Sequence, residues 1–162
     1  MGIANLHPGE LRKLFHALEA QHVEYVVVGA IAMALHGITR ATEDVDLFVL
    51  PTEGNIRSLR AALGAVWQDS SIGEIRAEDL SGEIGVVSYM PPEGDWHLDV
   101  ISHLGEAFRY ADIESMRIEL GEGLEVSVAT PRMLHRMKRD TLRPKDRLDA
   151  AWLCERFGLE DA

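Results

Sequence analysis

A chain of 162 residues, 46% of them hydrophobic, holds enough apolar material for one ordinary domain without a disulfide or structural-metal staple. Its single cysteine, Cys154, cannot form an internal bridge, and no apolar run approaches the roughly 18 residues that span a bilayer, which argues against a disulfide scaffold and a helical membrane protein. A net charge of −11 argues against unspecific nucleic-acid binding by the whole surface. The start "MGIANLHPGE" carries neither a charged leader with an apolar core nor a myristoylation signal. One cytoplasmic domain over residues 1–162, with no membrane partner and Cys154 as a small buried thiol, is the expectation.

In chain order, "PGELRKLFHALEAQ" places Leu11, Leu14, Phe15 and Leu18 at helical spacing, with Pro8 allowed in the first turn. "VEYVVV" is a β-branched strand, and Gly29 turns it into the short helix "AIAMALHG", which Gly37 can end. His36, at the end of that helix, is expected to pack or cap. "DVDLFVL" reads as a second strand, stopped by Pro51, and "EGNIRSLRAALGAV" as a helix with Ile56, Leu59, Leu63 and Val66 on one side. "EIGVVSYM" and "WHLDVIS" form an antiparallel pair around "PPEGD", and "MRIELGEGLEVSV" a hairpin. Thr130 and Pro131 open one helix, and another runs from about Lys145 to Phe157, before Gly158. Trp67, Trp96 and Trp152 are spaced like core residues. Helices on one small mixed sheet, with a helical pair at the C-terminal end, make an α/β (α+β) fold.

The second strand carries an unusual cost. Side chains at i and i+2 share a face about 6.6 Å apart, so Asp44 and Asp46 point one way while Val45 and Leu47 point to the core. At an effective dielectric of about 20, two such charges repel by about 3 kcal/mol. A divalent cation removes that repulsion, since carboxylate oxygens are hard ligands; a bare Asp-x-Asp at a solvated strand end is the alternative. Upstream, Gly29 and Ala30 open a helix whose free N–H groups suit a phosphate. Downstream, "WHLDVIS" supplies a third strand-borne acid, Asp99, with His97 on the same face. His97 is either an outer neighbour of the metal or a half-exposed strand histidine. Three such acids beside a helix start form the layout that two-metal phosphoryl chemistry requires. No Cys/His cluster suggests zinc.

Gly29-Ala30, Asp44-Val45-Asp46 and Asp99 together resemble the signature of the nucleotidyltransferase fold shared with DNA polymerase β. "GITRATEDVDLFV" and "MLHRMKRDTLRPKDRLDAAWL" are similar to runs in AbiEii-type and related minimal nucleotidyltransferases, a likeness covering about Val23 to Trp152. Ala30 departs from the Gly or Ser usual there and loses a hydroxyl that could reach a phosphate. The resemblance implies that Asp44, Asp46 and Asp99 hold Mg²⁺, two ions in all, and that Asp99 helps deprotonate an acceptor hydroxyl. It implies that Gly29, Ala30, Arg40, Thr42, Lys138 and Lys145 bind nucleotide. For Lys145-Asp146 a plain helix start, and for Arg143 a surface charge, are the alternatives. The partners implied are an NTP, an acceptor among RNA, protein or small molecules, and a toxin–antitoxin partner; the alternative function is a non-catalytic nucleotide-binding or antitoxin-like module. Seven of the 16 basic residues crowd Arg132–Arg147 against two acids, leaving that segment at +5 and the remainder at −16. Such a stripe either focuses an anionic ligand or coats two solvated helix faces.

Overall fold

The computed structural model describes residues 8–38, 44–92, 96–139 and 143–159. Helix α1 (Pro8–Ala20) precedes strand β1 (Tyr25–Val28), which runs directly into helix α2 (Gly29–Leu35). Strand β2 (Asp44–Val49), helix α3 (Glu53–Val66), a 3-10 turn (Ser70–Glu74) and the short helix α4 (Ala77–Leu80) follow. Strands β3 (Val86–Tyr89) and β4 (His97–Ile101) precede a two-residue hairpin, β5 (His103–Leu104) and β6 (Phe108–Arg109). The chain continues through β7 (Ser115–Glu119) and β8 (Glu125–Ala129) to helices α5 (Pro131–Arg139) and α6 (Pro144–Phe157). No described helix is long and apolar enough to cross a membrane.

The six-stranded sheet has the order β3-β4-β2-β1-β8-β7. β1 pairs with β2 antiparallel and with β8 parallel, and β2 pairs with β4 parallel. The two hairpins, β3–β4 and β7–β8, close the edges antiparallel. The sheet is therefore mixed, as expected, and its core is one cluster. Leu14, Phe15 and Leu18 of α1 and Ile56, Leu59 and Leu63 of α3 are fully buried within it, beside Val45, Leu47, Leu98 and Val100 of the central strands.

Several boundaries follow from local chemistry. The Thr52 side chain accepts the Asn55 N–H at the start of α3, and Thr130 accepts the Met133 N–H at the start of α5. Gly158, at φ +62°, ends α6 in the left-handed conformation. His36 caps α2, donating from Nε2 to the Ala129 carbonyl 2.8 Å away and meeting the Phe157 ring edge-on. Arg156 of α6 donates to the His36 carbonyl at 3.2 Å. Cys154 is only half-buried, its Sγ 3.0 Å from His135 Nε2.

The expectation for one tryptophan fails. Trp67 and Trp96 are buried core residues, but Trp152 is 38% exposed on the outer side of α6. Its spacing matches a buried stripe, yet α6 buries Asp149, Ala150 and Leu153 instead. The segments at 70–80 and 103–112 contain short turns and a two-residue hairpin that carry too few residues to show a period.

One polar side chain fastens the sheet to α3. Asn55, 7% exposed, accepts the Glu24 N–H at 2.7 Å and donates to the Glu24 and Leu50 carbonyls at 2.9 and 2.8 Å. It thus joins the start of β1 to the end of β2. Asn55→Ala orphans the Glu24 N–H and the Leu50 carbonyl, while the Glu24 carbonyl keeps the Leu50 N–H at 3.3 Å, and should destabilise the protein by about 1–3 kcal/mol. A lower urea midpoint at unchanged m-value checks this.

Candidate active site

The cluster of acids is built by register. β2 and β4 run parallel with Asp44 opposite His97 and Asp46 opposite Asp99, so four polar side chains form a two-by-two patch on one face. The intervening Val45, Leu47, Leu98 and Val100 are fully buried on the other. Two residues further on, Phe48 and Ile101 of the polar face are buried as well. The acids therefore stand at the open rim of a face whose continuation is covered.

His97 Nε2 lies 2.8 Å from Asp44 Oδ1 and 3.8 Å from Asp99 Oδ2. The three side chains are partly exposed, at 37%, 42% and 22% for His97, Asp44 and Asp99. Each offers a ligand atom within 4.8 Å of the others. On the far side of Asp99, Ser88 of β3 donates to its Oδ1 at 2.5 Å, Ser88 and Asp99 being register partners.

Asp46 is the deepest of the group. Its carboxyl is pushed up to about 7, first by burial and then by the charges of Asp99 and Asp44, with hydrogen bonding to Asp99 adding to the rise. The Lys138 ammonium partly offsets this. β1 reaches the same place from the other side, since Val28 is paired with Asp46. There the chain turns into α2 through Gly29 at φ +70°. A Cβ at Gly29 would collide with the Asp46 carboxylate, its Cγ lying only 3.1 Å away. Glycine is needed here both for the backbone conformation and for the space.

Lys138 comes from α5. Its Nζ lies 2.8 Å from Asp149 Oδ2 and 3.4 Å from Asp146 Oδ1, both on α6, and Asp149 is fully buried. The C-terminal helical pair thus presents a held ammonium to the acids of the sheet. The rest of the basic segment is less uniform than its sequence suggests. Arg132 pairs with Glu114 at 2.9 Å, while Arg143 is 75% exposed and 3.9 Å from Asp146, in keeping with a surface charge.

Of the residues singled out from sequence, Asp44, Asp46, Asp99, Gly29 and Lys138 come together here, with Ala30 next in the chain. Lys145 is exposed in the first turn of α6. Arg40 and Thr42 lie outside the described residues. Ser88, Asp146 and Asp149 join the arrangement without having been singled out for it. The Asp146-x-x-Asp149 spacing, one helical turn, was a readable signal; Ser88 depends on the register of β3, which leaves no local mark.

The donor set fits divalent cations. Asp44, Asp46 and Asp99 concentrate negative charge in a half-buried place, and burial together with the neighbouring acids raises the Asp46 pKa. Asp44, His97 and Asp99 could hold an ion between them.

Known structures share this architecture. The crystal structure of ANT(2'')-Ia in complex with adenylyl-2''-tobramycin matches at a TM-score of 0.53 and 16% identity, over 91% of this chain and 87% of that one. The solution structure of ANT(2'')-Ia matches at 0.52 and 19%, over 93% and 83%. A protein of Thermotoga maritima solved as a candidate nucleotidyltransferase matches at 0.55 and 13%, over 95% and 96%. No family model and no curated protein matches the sequence. The chain has the nucleotidyltransferase fold.

The raised Asp46 pKa has a stability consequence with a definite sign. In the unfolded chain this carboxyl ionises near pH 4, whereas in the folded one it holds its proton to about pH 7. The folded state binds the extra proton between those values, so metal-free stability falls as pH rises through that window. With chelator present, Asp46→Asn should stabilise the protein more at pH 8 than at pH 5, by about 1–3 kcal/mol. Urea denaturation of both proteins at the two pH values measures it.

Proposed function

We propose that residues 1–162 form a single nucleotidyltransferase domain that moves an NMP group from an NTP to an acceptor hydroxyl with the help of divalent cations. The observation carrying this is the parallel β2–β4 register, which sets Asp44, Asp46 and Asp99 side by side next to Gly29. Lys138 supports it from the helical pair.

Asp44 and Asp46 would hold the ion that accompanies the triphosphate, Mg²⁺ being the one the family resemblance implies. Backbone N–H groups at Gly29 and Ala30 face the phosphates, and Lys138 offsets their charge. Arg40, Thr42 and Lys145 are assigned to the same nucleotide from sequence. Asp99, held by Ser88, takes the proton of the acceptor hydroxyl. The acceptor oxygen bonds to the α-phosphorus, the α–β bridging P–O bond breaks, and pyrophosphate leaves. Bound cations would neutralise the triphosphate and lower the pKa of the attacking hydroxyl. The adenylylated aminoglycoside in one structural neighbour supports ATP and a small-molecule hydroxyl as the first pair to assay.

The test is incubation with each α-labelled NTP, Mg²⁺ and either aminoglycosides or cell extract, following label and pyrophosphate. Absence of transfer with every NTP and acceptor fraction would count against the proposal. Asp99→Asn should lower the transfer rate by about 10²–10⁴ while Mg·NTP affinity stays within a few-fold. Asp46→Asn should lose both. Near-normal transfer by Asp99→Asn would sink its role as proton acceptor.

A further inference from the structure

The patch formed by β2 and β4 is not purely acidic. The same register that sets Asp99 beside Asp46 sets His97 beside Asp44, so one corner of the patch is an imidazole. Metal–ligand bonds of about 2.1 Å put neighbouring donors of an octahedral ion about 3 Å apart and opposite ones about 4.2 Å apart. The 2.8 Å from His97 Nε2 to Asp44 and the 3.8 Å to Asp99 fall at and between those spacings. All three donor atoms lie within 4.8 Å of one another, and the three residues are partly exposed, leaving room for solvent ligands. Nε2 therefore stands within reach of an ion held by both acids, as well as within reach of Asp44 alone.

We propose that His97 is a nitrogen ligand at the Asp44–Asp99 metal position, making this position selective for a first-row transition ion such as Mn²⁺ over Mg²⁺. This rests on the nucleotidyltransferase reading for its purpose, but not for its measurement. Mg²⁺ takes oxygen ligands and sheds water reluctantly, whereas imidazole binds transition ions, with affinity climbing along the Irving–Williams order. Ligation through Nε2 requires that nitrogen to be unprotonated, with the ring proton on Nδ1. Asp44 Oδ1, 2.8 Å from Nε2, would offer its oxygen to the same ion. Asp46, deeper in the patch, has no imidazole beside it in the register and keeps an all-oxygen environment suited to Mg²⁺. The two ion positions thereby differ in chemistry.

The experiment uses the untagged full chain, Mn²⁺ alone and no nucleotide. Pulsed electron paramagnetic resonance of bound Mn²⁺ should show coupling to an imidazole nitrogen, and that coupling should disappear in His97→Gln. In titrations followed by the free Mn²⁺ signal, with Mg²⁺ as competitor, His97→Gln should weaken Mn²⁺ about tenfold or more and Mg²⁺ by less than about threefold. Wild-type protein that binds Mn²⁺ without nitrogen coupling overturns the proposal, and this measurement needs no variant to fold. Equal weakening of both ions by His97→Gln also overturns it, leaving His97 as an orienter of Asp44. Transfer of nucleotide by a protein lacking the coupling would sink this inference and leave the enzymatic reading standing. Coupling in a protein that transfers nothing would do the reverse.

Discussion

Mutual repulsion among Asp44, Asp46 and Asp99 is the constraint around which the rest of this molecule is arranged. Nothing in a sheet gains stability from three like charges within a few ångströms, and the deepest carboxyl, Asp46, is pushed up to about 7 first by its burial and then by Asp99 and Asp44. The surroundings answer this from three directions. Gly29 yields the space of a side chain, Ser88 donates to Asp99, and Lys138 lends positive charge. None of these removes the strain. In the proposed reaction a bound cation would relieve it, so the repulsion would favour binding of the ion.

The buried ion pairing of Lys138 is part of the same economy. A lysine near carboxylates would ordinarily collapse onto the nearest one and neutralise it. Asp149 and Asp146 compete for this ammonium from α6 at 2.8 and 3.4 Å. Its charge is therefore shared across helices and sheet. A fully buried Asp149 with no such partner would be expensive, so the arrangement ties packing of the helical pair to the electrostatics of the sheet.

How legible this was in the sequence depended on the range of each interaction. Helix α3 was readable because Ile56, Leu59, Leu63 and Val66 repeat at helical spacing. The "DVD" alternation exposed the face of β2, since a period of two is local. Thr130-Pro131 and Gly158 marked helix ends by their own chemistry. Contacts between strands were harder. That Asp46 meets Asp99 and Asp44 meets His97 follows from a register set by fifty residues of intervening chain, and His97 could only be placed on the right face. Trp152 failed for a related reason: α6 has polar residues on its buried side, so an aromatic at helical spacing did not mark the core.

The exit of α2 carries an implication for motion. His36 is tied to β8 through the Ala129 carbonyl and to α6 through Arg156, and Phe157 closes on its ring. Gly37, at φ +90°, leaves room for the Arg156 guanidinium, which a Cβ there would meet at 2.6 Å. Helix α2 starts beside Asp46 and ends in this grip, while α5 and α6 carry Lys138 and its two partners. The same helical pair therefore touches the acidic patch at one end of α2 and clasps its other end. Such an arrangement couples the two ends of α2: a tilt of α6 that moves the partners of Lys138 also moves the Arg156 contact at the His36 carbonyl.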